Sequence, residues 1–205
     1  MFVTAEFYKK INERDRYIKK VKMMRNYFLK TQHLGFSHWN KEDMETAYSL
    51  WGDKNVTKYL SVSGIFSREE IADRLELEIK NERLYKIQYW PVFELETGGF
   101  AGCCGLRPYK SSEKIYEIGF HLIPEYWGKG YGKEAAEAMI KYAFEELGAE
   151  KLFAGHNPDN TASARLLTKL GFIYTDDEYY KPTGLYHPSY IYEKINYNKV
   201  KGEAE

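Results

Sequence analysis

Apolar and polar positions recur along this chain with two different periods, and the period assigns the elements. Over residues 6–26, Phe7, Ile11, Ile18, Val21 and Met23 or Met24 form a loose helical stripe among many Lys, Arg and Tyr residues, as expected for a helix added to the main body. Residues 43–51 have the pattern of a short helix. Ser67, Arg68, Glu69 and Glu70 form a capping box: the Ser hydroxyl and the Glu carboxylate each accept from the other's backbone N–H, which predicts a helix from here to about Arg83. Residues 87–94 and 100–106 read as strands joined by a hairpin turn at Thr97, Gly98 and Gly99. A further strand covers 115–123, and a helix covers 134–147. Next come an apolar strand-like run, residues 151–155, and a second short helix leading into a further strand. Asn160 is that helix's N-cap, Leu166, Leu167 and Leu170 its apolar face, and Gly171 its left-handed terminator. Residues 182–188 read as a loop and 189–195 as the last strand. Strands interleaved with helices predict a central mixed sheet flanked by helices, in the α+β (α/β-like) class.

Composition narrows the function classes. The chain has 205 residues, of which 43% are apolar, enough for one domain with a core. Lys plus Arg and Asp plus Glu both total 30, so the net charge is zero and a general nucleic-acid binder is not expected. No apolar run approaches the roughly 20 residues of a membrane span. Residues 1–30 are charged throughout, with no apolar segment of the signal-peptide kind, so a cytoplasmic location is expected. Cys103 and Cys104 are adjacent, and successive strand residues face opposite ways. They are therefore expected to be reduced packing residues. No Cys/His cluster has metal-ligand spacing, and no metal is expected.

The strongest chemical signal is Gly128, Lys129, Gly130, Tyr131, Gly132 and Lys133, placed between a strand and a helix. The first turn of a helix has unpaired N–H donors and a partial positive charge, and glycine lets an anion approach the backbone. A phosphate-bearing ligand is expected here. A mononucleotide P-loop requires Ser or Thr after Gly132-Lys133, and the chain has Glu134. Gly130 to Ala135 fits a dinucleotide fingerprint, with Glu150 about 20 residues on. However, Pro124 to Trp127 intervene after the strand, and Glu150 precedes the next apolar run instead of ending it. An NAD-binding oxidoreductase is thus the weaker alternative.

A second segment favours coenzyme A: Asn157, Pro158, Asp159 and Asn160, through Ser163, to Lys169, Leu170, Gly171 and Phe172. Taken in order with Glu117 to Phe120 and with Pro124 to Ala135, it resembles the GNAT superfamily of acetyl-CoA-dependent N-acetyltransferases. The similarity is greatest to the branch of ribosomal-protein N-terminal acetyltransferases. It continues upstream to about Leu29, while residues 1–26 match nothing in the family. The general family pattern has Arg or Gln where Trp127 stands, although this branch commonly has Trp. The resemblance implies a GNAT fold over residues 27–197, a helical extension before it over residues 1–26 and a polar tail after it over residues 198–205. The sheet would have about six or seven strands, splayed in the middle for the cofactor.

What the resemblance implies for the site follows from the reaction. The N–H groups of Gly128, Gly130 and Gly132 would wrap a diphosphate, with Trp127, Lys129, Tyr131 and Lys133 in the same loop. Backbone around Leu122 and Ile123 would pair with the pantetheine arm and polarise the thioester. Asn160 would bind the pantetheine amide, and Ser163 would donate to the sulfur, since no Tyr stands on that helix. Glu117 is the candidate base. His121 and His156 read as structural. The implied activity is acetyl transfer to a primary amine, on a protein N-terminus or a small molecule, by direct attack in a ternary complex. A non-catalytic acyl-CoA-binding module on the same fold is the alternative, and a homodimer fits the extension. Among the 19 tyrosines, Tyr179, Tyr180, Tyr186 and Tyr190, with Asp176, Asp177 and Glu178, would suit a cationic acceptor.

Overall fold

The computed structural model describes residues 25–202. The helical stripe expected over residues 6–26 lies outside them except for its last two positions. In chain order come β1 (Leu29–Lys30), β2 (Leu34–Phe36), α1 (Met44–Trp51), α2 (Lys54–Thr57), α3 (Arg68–Tyr85), β3 (Tyr89–Glu94) and β4 (Phe100–Lys110). The chain continues with β5 (Ile115–Leu122), α4 (Tyr131–Glu145), β6 (Lys151–Gly155), α5 (Thr161–Lys169), β7 (Ile173–Tyr180), β8 (Leu185–Glu193) and α6 (Lys194–Gly202). The capping box at α3 forms as expected. Ser67 Oγ accepts from Glu70 N–H at 3.2 Å, and Glu70 Oε2 accepts from Ser67 N–H at 2.7 Å.

All eight strands join one sheet in the order β1-β2-β3-β4-β5-β6-β8-β7. Every neighbour is antiparallel except β5 and β6, which are parallel. The count exceeds the expected six or seven because β1 and β2 are too short for a period to register. The expected loop over 182–188 is also largely strand: β8 begins at Leu185, paired with Tyr180. Every residue of β7 is exposed, so this hairpin lacks the alternation that marks a half-buried strand. Residues 194–202 form α6, so the last strand ends at Glu193, short of the expected 195. Tyr197 of α6 stacks on Phe144 of α4 at 5.1 Å, which holds the terminal turns to the core.

The sheet has a core on each face. On one, α4 buries Ala135, Ala136 and Met139 against Leu106, Ile118 and Leu152. On the other, α1 and α3 bury Leu50, Trp51 and Ile71 against Tyr89 and Cys103. Cys103 and Cys104 face opposite cores, both as free buried thiols, and burial pushes both thiols up and away from thiolate chemistry. Two close approaches need glycine on the second face. A Cβ on Gly105 would lie 2.0 Å from Gln88 O, and one on Gly119 would lie 2.3 Å from Tyr89 Oη. Among the described residues, no helix is long and apolar enough to cross a membrane, and no cluster of His, Cys, Asp or Glu could hold a metal ion.

The join between β5 and β6 positions the site. It consists of Ile115↔Lys151, Tyr116↔Leu152 and Glu117↔Phe153. Past Glu117 the strands part, and a wedge opens in the middle of the sheet.

Leu152 is fully buried at that join. Truncation to Ala is expected to cost about 2–5 kcal/mol, from lost burial and the cavity left behind. Urea unfolding would read this as a lower midpoint at unchanged slope.

Candidate active site

Gly130 is the N-cap of α4, with no side-chain cap bond. Gly128 and Gly130 have φ of +75° and +83°, a region that side chains strain to enter, and a Cβ on either would meet nothing within 4 Å. Among the described residues, the N–H groups of residues 128–132 have no backbone acceptor. Five donors thus surround open space at the positive end of a helix. That cradle fits a diphosphate. It borders a cavity of about 570 Å³ that also includes Leu122, Trp127, Lys133, Asn160 and Ser163.

The sequence-predicted residues around this cavity differ in what they offer. The Tyr131 ring is buried and its hydroxyl donates to Glu94 at 2.6 Å, so the loop side is left with its N–H. Lys129 Nζ lies 3.5 Å from Glu94, and Lys133 Nζ lies 2.9 Å from Glu137. Glu134, which excludes the P-loop reading, accepts from Thr31 Oγ1 and from His33 N–H, tying α4 to the β1–β2 turn. Ile123 N–H donates to Ala101 O at 3.0 Å and is not free for a thioester. Hydrogen-bonding direction alternates along an antiparallel strand, so Leu122 turns the other way, toward the wedge. The Trp127 indole donates to Leu122 O at 2.8 Å, and Leu122 N–H has no acceptor among the described residues past the end of the β5–β6 pairing. Asn160 caps α5 by accepting from Ser163 N–H at 3.1 Å, and its amide NH2 has no partner among the described residues. The Ser163 hydroxyl has no hydrogen bond among the described residues.

A second cavity, of about 240 Å³, lies on the α1/α3 face. Glu117 lines it and accepts from Tyr89 Oη at 2.8 Å. Tyr89 N–H donates to Glu78, a fully buried carboxylate that also pairs with Arg107. The Arg107 guanidinium lies 4.1 Å from the centre of the Tyr89 ring. Burial opposes the Arg107 charge, but Glu78 outweighs it and raises the pKa. Burial, then the Glu117 charge, push the Tyr89 phenol well up, so it stays a donor. Tyr109 points at Glu178 across 3.1 Å; burial first, then that bond, raise it to about 12.

His121 lines both cavities. Its Nδ1 accepts from the Trp51 indole at 3.3 Å, which fixes the N–H on Nε2. Burial, then Arg74 and Arg107, push its pKa well below the usual value, so the ring is neutral. Sequence reading set this residue aside, although period two already places Glu117, Gly119 and His121 on one face. His156, by contrast, donates from Nδ1 to Asn157 O at 2.8 Å and stacks on Tyr190, a structural role. Tyr179, Tyr180 and Glu178 line the second cavity; Tyr186, Asp176 and Asp177 do not. Arg74, Tyr89, Arg107 and Tyr109 are further members that no motif marks. They come from α3, β3 and β4, and only the sheet brings them to Glu117.

The Acetyltransferase (GNAT) domain family model matches residues 33–173. YkkB of Bacillus subtilis (strain 168) is 31% identical over 160 residues, covering 76% of this chain and 88% of its own. The probable N-acetyltransferase YjcK of the same organism is 42% identical over 142 residues, covering 69% and 73%. RimL, a ribosomal L7/L12 alpha-N-protein acetyltransferase solved with coenzyme A, superposes with a TM-score of 0.70 at 14% identity, covering 82% of this chain and 98% of its own; at that identity it speaks for the fold alone. The chain belongs to the GNAT acetyltransferase family, and its general chemistry is acetyl-CoA-dependent N-acetylation.

The neutral His121 sets an acid limit on stability. An unfolded chain protonates this histidine below about pH 6.5, while the folded protein holds it unprotonated, so folding stability falls as pH drops through that value. His187, also lowered by burial, acts in the same direction. His121→Gln is expected to flatten the decline in unfolding free energy between pH 6.5 and 5.5, measured by urea titration at each pH.

Proposed function

We propose that the protein acetylates a primary amine by direct attack in a ternary complex, with acetyl-CoA in the larger cavity and the amine in the smaller. The observation that carries this reading is the junction of the two cavities: both are lined by Phe120, His121, Asn160 and Ser163, beside the wedge between β5 and β6. In such a reaction the amine nitrogen bonds to the thioester carbon as the carbon–sulfur bond breaks; the amine loses a proton and the thiolate gains one.

The chain has a group for each demand. N–H donors of residues 128–132 hold the diphosphate, and the Asn160 amide serves the pantetheine arm. Leu122 N–H and His121 Nε2–H are neutral donors for charge developing on the carbonyl oxygen, and such donors act strongly where water is excluded. Glu117, held in place by Tyr89, takes the amine proton. Ser163 is the donor toward the sulfur. A neutral His121 in the same cavity as Glu117 adds no cation to repel an ammonium acceptor.

Gly132→Asp tests the cradle without disturbing the fold. A Cβ at Gly132 meets only Leu166 at 3.4 Å and Leu122 at 3.6 Å, ordinary contacts, and its φ is not left-handed. Calorimetric titration should find acetyl-CoA affinity at least tenfold weaker, at an unchanged melting temperature; absence of saturable binding by the unmodified protein would overturn the acetyl-transfer reading. With an acceptor found by amine screening, Glu117→Gln should lower kcat/KM by about 10²–10⁴-fold. Its acetyl-CoA affinity should not change; unaltered turnover would remove Glu117 from the chemistry.

A further inference from the structure

The acceptor cavity has a charged wall that acetyl transfer itself does not use. Arg74 of α3 lines it, with its guanidinium 5.3 Å from the ring centres of Trp51 and Phe66. Its Nε is buried without a partner. Among the described residues, Arg74 makes no side-chain hydrogen bond and no ion pair. Glu78, one helical turn on, is engaged by Arg107 and by Tyr89 N–H. Burial, then repulsion from Arg107, push the Arg74 pKa down, and attraction to Glu78 offsets them only in part. A buried charge is retained at a cost unless something pairs with it.

The remaining charges of the cavity complete the pattern. Arg107 is balanced by Glu78. Glu117 and Glu178 stand on β5 and β7, where each accepts from a tyrosine. Arg74 stands on the helix packed across the sheet. The cavity therefore has carboxylates on its sheet side and an unpaired guanidinium on its helix side. At about 240 Å³ it is smaller than the roughly 300–1,000 Å³ typical of drug-sized ligands.

We infer that the acceptor is a compact amine that also carries an oxyanion, which the fork of Arg74 receives while the amine faces Glu117. This rests on the acetyl-transfer reading above and narrows its acceptor class. A planar guanidinium with free donors matches a carboxylate or a phosphate in a two-pronged pair.

The test uses matched amines that differ only in the anion: α-amino acids against their amides, and phosphoethanolamine against ethanolamine. Transfer is followed by coenzyme A thiol release. The unmodified protein should favour an anionic member by about tenfold or more in kcat/KM, the scale of a charge-assisted hydrogen bond. The preferred pair tells carboxylate from phosphate. Arg74→Gln should abolish that preference through KM, with acetyl-CoA affinity kept, and Arg74→Lys should keep part of it. Equal use of neutral and anionic members, or a preference surviving Arg74→Gln, would overturn the inference. Should no member be turned over, acetate and inorganic phosphate are titrated against intrinsic fluorescence, since Trp51 lies beside Arg74. A saturable change absent from Arg74→Gln supports the anion site, and no change refutes it. This titration does not involve acetyl-CoA, so failed acetyl-CoA binding counts against acetyl transfer and leaves the anion site to its own result.

Discussion

Three residue pairs, Ile115↔Lys151, Tyr116↔Leu152 and Glu117↔Phe153, join the two halves of the sheet. Backbone N–H and C=O groups in a protein interior need partners, and a sheet normally supplies them strand by strand. Where β5 and β6 part, that supply ends and side chains take over some of it. The Trp127 indole covers Leu122 O, and Asn160 caps the helix that follows β6. Leu122 N–H and the donors of the glycine loop are among the groups that remain open among the described residues. The parallel join also carries the chain from β5 through α4 to β6, which places the N-terminus of α4 at the mouth of the wedge.

The opposite face solves a different problem, that of keeping charges in a dry place. Glu78 is fully buried, and it is tolerated because Arg107 and the Tyr89 N–H converge on it. Arg107 in turn lies against the Tyr89 ring, and Tyr89 reaches Glu117. This chain of contacts fixes the candidate base from behind, so its orientation does not depend on the acceptor. Gly119 belongs to the same device: any side chain there would collide with the Tyr89 hydroxyl. The neutral His121, held by Trp51, completes a wall whose donors and acceptors are set before any ligand arrives.

Much of the fold was legible because its signals are local. The capping box at Ser67, the turn at Thr97 to Gly99 and the strand before the glycine loop depend on neighbours within a few residues. The glycine loop was legible for the same reason: its donors and its left-handed positions are made by consecutive residues. The start of β8 was not: residues 185–188, expected as loop, pair with an exposed β7 that has no alternation to detect. The short strands β1 and β2 form only because β3 offers an edge.

The site divides along the same line. The amino-acid sequence alone determined the glycine loop at the start of α4, the Asn160 cap and the placing of Glu117 on a strand that leads to them, because each is a property of a contiguous segment. Tertiary structure alone decided that Ile123 N–H is occupied, that the Tyr131 ring turns away to Glu94, and that Arg74, Tyr89, Arg107 and His121 surround one cavity with Glu117. Those residues lie on four separate elements. Their charges and protonation states follow from burial and from partners far along the chain, quantities that come into being only when the sheet has closed around them.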